Sequence, residues 1–129
     1  MPHFTGIHHL ALTVSGLDAS TAFYERIFGF PPASDLSGEG LRRRLFALAG
    51  GTNLGLTEHT PTTTETFSPF RPGMDHLGFA VESLNELNSW AAHLTAECIV
   101  HSGLVEAPYG VALSFKDPDQ IALEFFVSK

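Results

Sequence analysis

Two stretches of the chain carry one pattern of apolar and polar positions. Residues 6–23, GIHHLALTVSGLDASTAF, lie over residues 73–90, GMDHLGFAVESLNELNSW, without a gap. Gly6 matches Gly73, His9 matches His76, Leu10 matches Leu77, Val14 matches Val81 and Leu17 matches Leu84. A repeat at about half the chain length points to an internal duplication. Each copy reads as a strand followed by a helix. Leu10, Leu12 and Val14 alternate with His9, Ala11 and Thr13, and Leu77, Phe79 and Val81 alternate with His76, Gly78 and Ala80, the period of two of a half-buried strand. The first helix is predicted from about Asp18 to Phe28, with Ala22, Phe23 and Ile27 at helical spacing and Gly29 as its stop. In the second, Leu84, Leu87, Trp90, Ala91 and Leu94 form the apolar stripe.

Strand-like runs follow each helix: Leu41–Leu48 and Asn53–Glu58 in the first half, Cys98–His101, Val111–Phe115 and Ile121–Val127 in the second, with a short strand around Pro32–Leu36. The polar, Thr- and Pro-rich stretch HTPTTTETFSPFRPG between the halves reads as a surface linker. The expected architecture is α+β: one domain over residues 1–129, made of two modules (about 6–59 and 73–127) joined by a linker over 60–72. Each module holds a mainly antiparallel sheet covered by its helix.

Composition narrows the function classes. A net charge of −7 disfavours nucleic acid, which needs a basic face. Arg42, Arg43 and Arg44 form the one cationic run, too short to change that. No apolar stretch reaches membrane-spanning length, and the N-terminus lacks a signal-peptide pattern. Cys98 is the single cysteine, so no internal disulfide forms; it is expected as a small buried hydrophobe. Together these point to a cytoplasmic protein.

Strand parity sorts the histidines. Leu10, Leu12 and Val14 must face the helix, so His9 lies on the other face beside Ala11 and Thr13, and His76 lies there beside Gly78 and Ala80. His8 has core parity but sits at the strand end, where water reaches it. In the last run, IALEFFVSK, Leu123, Phe125 and Val127 share the core face, which places Glu124 with Ala122 and Phe126. A carboxylate between apolar neighbours calls for a partner. An isolated strand histidine is an ordinary surface residue, but equivalent histidines in two modules can meet at a pseudo-twofold axis. Two imidazoles and a carboxylate make a three-ligand set for a divalent metal with open positions for water or substrate.

The segments HHLALTVSGLDASTAFYERIFGF, GMDHLGFAV and YGVALSFKDPDQIALEFF resemble the vicinal oxygen chelate superfamily, which includes glyoxalase I, fosfomycin-resistance proteins, methylmalonyl-CoA epimerase, extradiol dioxygenases and bleomycin-resistance proteins. The resemblance spans nearly the whole chain. It implies paired βαβββ modules and a metal held by His9, His76 and Glu124, the residues parity selects. It also implies a small-molecule substrate bound through adjacent oxygens, with Glu124 at the catalytic centre. The reaction is then that of a lyase, isomerase, thiol transferase or dioxygenase; the alternative is a non-catalytic binder of the bleomycin-resistance type. Iron would signal oxygen chemistry, and manganese, nickel or zinc Lewis-acid chemistry. Compact members commonly form homodimers, so His9 of one chain is expected to meet His76 and Glu124 of its partner.

Three departures shape the expectation. NLGLTEH places Gly55 where glyoxalase I resembling this chain carries a fourth ligand, so that activity is expected to be absent or very weak; His59 shares Gly55's parity. Fosfomycin-resistance proteins place a basic residue beyond the last strand, a part open here to Lys129 or an arginine of the 42–44 run. In DPDQ, Gln120 takes a turn position where glycine is easier. Tyr109 and His101 are further candidates for the rim of the site.

Overall fold

The computed structural model describes residues 1–129. The chain divides into two compact units, Met1–Thr64 and Glu65–Lys129. Each has the βαβββ order.

The first unit runs β1 (His9–Thr13), α1 (Leu17–Phe28), β2 (Ser34–Gly38), β3 (Leu41–Ala47) and β4 (Asn53–His59). Its sheet has the order β1-β4-β3-β2, with β1 parallel to β4 and the other pairs antiparallel. The α1 helix closes at Gly29, whose φ of 79° lets its N–H reach Glu25 O at 2.8 Å. Its buried stripe is Leu17, Ser20, Thr21, Phe23, Tyr24 and Ile27. Ala22, expected in that stripe, is exposed because the helical rotation between Thr21 and Phe23 carries it outward. Tyr24 and Phe46, both fully buried, lie with ring centroids 6.4 Å apart in the core between α1 and the sheet.

The second unit runs β5 (Leu77–Ala80), α2 (Leu84–Ala96), β6 (His101–Ala107), β7 (Gly110–Lys116) and β8 (Ala122–Ser128). Its sheet order is β5-β8-β7-β6, with β5 parallel to β8 and the rest antiparallel. Ser83 caps α2 by accepting the Glu86 N–H at 3.1 Å. Leu87 and Leu94 are the buried helical residues, whereas Leu84, predicted in the stripe, is 51% exposed. Trp90 stacks on Phe125 at 4.0 Å, and Phe125 also stacks on Phe115 at 5.5 Å. Truncating Phe125 to alanine would cost about 3–5 kcal/mol.

Two local readings are corrected. The strand expected over Cys98–His101 begins at His101 instead. Cys98 adopts a left-handed conformation (φ 59°) that closes α2, its N–H bonding Thr95 O at 3.0 Å. That turn drives Ile99 into the core and leaves Cys98 exposed, not buried. The short strand near residue 32 starts at Ser34, past the prolines, and is solvent-exposed throughout. The DPDQ turn forms as anticipated: Gln120 has φ 66°, and the buried Asp117 Oδ1 accepts N–H bonds from Asp119 and Ile121 at 2.8 and 2.9 Å.

Candidate metal centre

In both units the residues chosen by parity lie on the sheet face away from the helix. Along β8 the burial alternates strictly: Leu123, Phe125 and Val127 are buried, while Ala122, Glu124 and Phe126 are half-buried. Along β1, Leu12 is buried between exposed Ala11 and Thr13.

The second unit brings two of the three proposed ligands together. His76 stands just before β5, and Glu124 lies in β8 opposite Gly78. His76 Nε2 is 3.3 Å from Glu124 Oε1. Ligand atoms about 2.1 Å from one cation sit about 3.0–3.4 Å apart in octahedral or tetrahedral geometry, so this pair fits a shared divalent ion. Gly78 makes the space. A Cβ built there would lie 3.3 Å from Glu124 Oε1, tighter than ordinary van der Waals contact, and 3.5 Å from its Cγ.

Asp75, which the sequence reading did not single out, completes the arrangement. Its Oδ2 accepts from His76 Nδ1 at 2.6 Å. That bond holds the Nδ1–H tautomer and turns Nε2, the free ligand atom, toward Glu124. The Asp75 bond, helped by the Glu124 charge, holds the imidazole above its usual range, with partial burial opposing. A metal ion on Nε2 would displace the proton that the imidazolium form carries there.

The first unit holds His9 as the opening residue of β1, exposed and in register with Asn53. His8 Nδ1 and His9 Nδ1 are 2.9 Å apart, one N–H donating to the other, with the rings edge-to-face at 5.2 Å. With Nδ1 engaged, His9 too keeps Nε2 for a ligand. Gly55 is buried beside Ala11, and a Cβ there would approach Leu45 Cδ2 to 3.1 Å. Within the chain, no three His, Cys, Asp or Glu side chains are grouped to hold a metal ion.

The secondary candidates separate. His59 ends β4 and is exposed. His101 is fixed by Thr95 Oγ1 at 2.8 Å and by the Gly103 N–H at 3.0 Å, a structural role at the β6 bulge. Tyr109 is 71% exposed, its ring 5.8 Å from that of Phe126. Lys129 is paired with Glu106 at 3.1 Å.

A sequence profile of the Glyoxalase/Bleomycin resistance protein/Dioxygenase superfamily matches residues 6–125. The glyoxylase/bleomycin resistance protein/dioxygenase domain from Frankia sp. EAN1pec is 33% identical, with 98% of this chain and 94% of that chain covered and a TM-score of 0.90. The genomically encoded fosfomycin resistance protein FosX from Listeria monocytogenes shares the fold at 21% identity (98% and 96% covered, TM-score 0.73). So does TnmS3, an antibiotic binding protein from Streptomyces sp. CB03234, at 21% identity (100% of both chains, TM-score 0.75). No curated protein sequence matches the chain.

Proposed function

Because the chain belongs to the Glyoxalase/Bleomycin resistance protein/Dioxygenase superfamily, we propose that it is a metal-dependent enzyme acting on a small molecule chelated through adjacent oxygens. The observation that carries this reading is the His76–Glu124 pair at 3.3 Å, with Asp75 orienting the imidazole. His9, His76 and Glu124 would hold a divalent iron, manganese, nickel or zinc ion, which when bound supplies Lewis-acid stabilisation of charge developing on the substrate oxygens. Glu124 offsets the charge of the ion. Asp75 keeps His76 in one tautomer. Ala11, Gly78 and Ala80 leave the sheet face open for substrate. The reaction falls among lyase, isomerase, thiol-transfer and dioxygenase chemistries.

The three ligands are divided between the units, and the site is proposed to form at the interface of a homodimer. Twofold symmetry then gives two equivalent sites, each with His9 from one chain and His76 and Glu124 from its partner. Subunit mixing tests this. His9→Ala and His76→Ala dimers are each expected to bind zinc poorly. Refolded together, they form heterodimers with one intact and one doubly damaged site, and zinc binding partly returns. No recovery, with heterodimers demonstrated, would sink the shared site.

The second reading, ligand sequestration without turnover, draws on the fold shared with TnmS3, an antibiotic binding protein. Elemental analysis of untagged protein separates the two. Stoichiometric metal favours the enzyme; metal-free protein that still binds ligand favours the binder.

A further inference from the structure

The Arg42–Arg44 run does not act as one basic patch. Successive side chains of β3 point to opposite faces. Arg42 and Arg44 lie on the α1 face, where each meets carboxylates. Arg42 Nη2 is 2.8 Å from Glu58 Oε2, and Arg44 Nη1 is 2.9 Å from Asp18 Oδ1, with its Nε 3.3 Å from Asp35 Oδ2. Arg43 lies on the opposite face, half-buried, and its partner is a neutral hydroxyl: Nε donates to Thr57 Oγ1 at 2.7 Å. Thr57 is 2% exposed, so this bond anchors the guanidinium plane on a buried, fixed atom. No carboxylate of the chain pairs with Arg43. Its Nη1 and Nη2 fork, the edge that binds a carboxylate or phosphonate with two parallel bonds, is left for another partner. In a chain of net charge −7, where Arg42, Arg44, Arg71 and Lys129 are all ion-paired, that is a notable arrangement.

The register places this guanidinium on the face that carries His9. His9 pairs with Asn53 and Asn53 with Ala47; Thr13 pairs with Thr57 and Thr57 with Arg43. The two rows are four residues apart, roughly 13 Å along the strands. Between them lies the row Ala11, Gly55 and Leu45; the first two are small, and the Leu45 side chain lies over Gly55, so a bound molecule would cross an apolar floor.

We propose that Arg43 binds an anionic group, a carboxylate or phosphonate, at the far end of the small molecule whose adjacent oxygens are held beside His9. This rests on the metal site proposed above and narrows its substrates to elongated acids. Thr57 is the positioning residue that anchors the guanidinium through Nε.

The test titrates manganese-loaded protein with catechol, with catechol carrying a flexible pentanoate tail, with the matching phosphonate, and with the methyl ester of the pentanoate. At least one acid is expected to bind about tenfold more tightly than the ester, the size of effect a charged hydrogen bond gives. The tighter acid identifies the anion. Arg43→Gln is expected to erase the difference between acid and ester, Arg43→Lys to keep part of it, and Arg42→Gln to keep all of it. Acids and ester binding alike to the unmodified protein would overturn the proposal without touching the metal site, because catechol would still bind. A difference that survives in Arg43→Gln would overturn it equally. Failure of catechol itself to bind would overturn the metal site, and this proposal with it.

Discussion

The two units share one topology and, of three corresponding positions on the open sheet face, keep one and differ at two. The first has His9, Ala11 and Gly55; the second has His76, Gly78 and Glu124. In each, the middle residue of the edge strand lies directly opposite the third: Ala11 opposite Gly55, and Gly78 opposite Glu124. Bulk and carboxylate have been exchanged across the strand pair. Where the glycine is on the edge strand, a glutamate fits beside it. Where the glycine is on β4, Leu45 closes over it and no ligand is offered. Duplication supplies two equivalent histidine positions, and one small-residue exchange decides which unit carries the negative charge.

The largest effect expected from breaking this contrast is at Glu124. Glu124→Gln keeps the shape and removes the charge that offsets a divalent cation. Calorimetric zinc affinity should fall by more than about a hundredfold, beyond the usual effect of removing an outer-shell partner. Unchanged affinity would mean that the second unit does not supply the charged ligand. A smaller effect is expected at Gly78. Gly78→Ala presses a methyl group toward Glu124 Oε1, and a few-fold loss of zinc affinity should follow, whereas Ala11→Gly in the first unit should leave affinity unchanged. Equal effects at both positions would erase the distinction.

Much of this contrast is legible in the sequence because strand parity is a strict rule. His9, His76 and Glu124 fall on the predicted face, and Gly55, from its place in NLGLTEH, falls there too, opposite Ala11. Parity also applies to Arg42, Arg43 and Arg44, yet a run of like charges reads first as one patch, and only the partners on each face separate Arg43. Asp75 escapes the rule because its parity is opposite to that of His76, and only the turn two residues before β5 lets its carboxylate reach back to its neighbour's ring. Cys98–His101 misleads for another reason: a short apolar run carries no sign that its first residue closes a helix in a left-handed turn. Leu84 fails because helical spacing identifies a stripe but not how far its first residue stands from the sheet.

The smallest effect concerns pH in the metal-free protein. The Asp75 bond and the Glu124 charge raise the His76 imidazole above its unfolded value. Its contribution to stability is therefore complete below about pH 6, near the unfolded imidazole value, and is lost as pH rises through the raised folded value. The side chain is 48% exposed, so solvent screening keeps this below about 1 kcal/mol. Urea melts should show a shallow decline in stability above pH 6 that Asp75→Asn diminishes and His9→Ala does not. An equal slope in both variants would place the titrating group elsewhere.

The parallel pairing of β1 with β4 and of β5 with β8 has a consequence for the order in which the chain acquires its chemistry. The antiparallel pairs join neighbouring segments: β3 to β4 across Ala47↔Asn53, β6 to β7 across Ala107↔Gly110, and β7 to β8 across Lys116↔Ala122. The strands next to the histidines must instead find partners most of a module away, as in Leu77↔Leu123. Closing so long a loop is entropically the slow step, so local hairpins form first and the edge strands dock last. His76 and Glu124 thus meet only once β5 has docked on β8. The pairing of these two side chains is therefore a late event in the folding of the second unit.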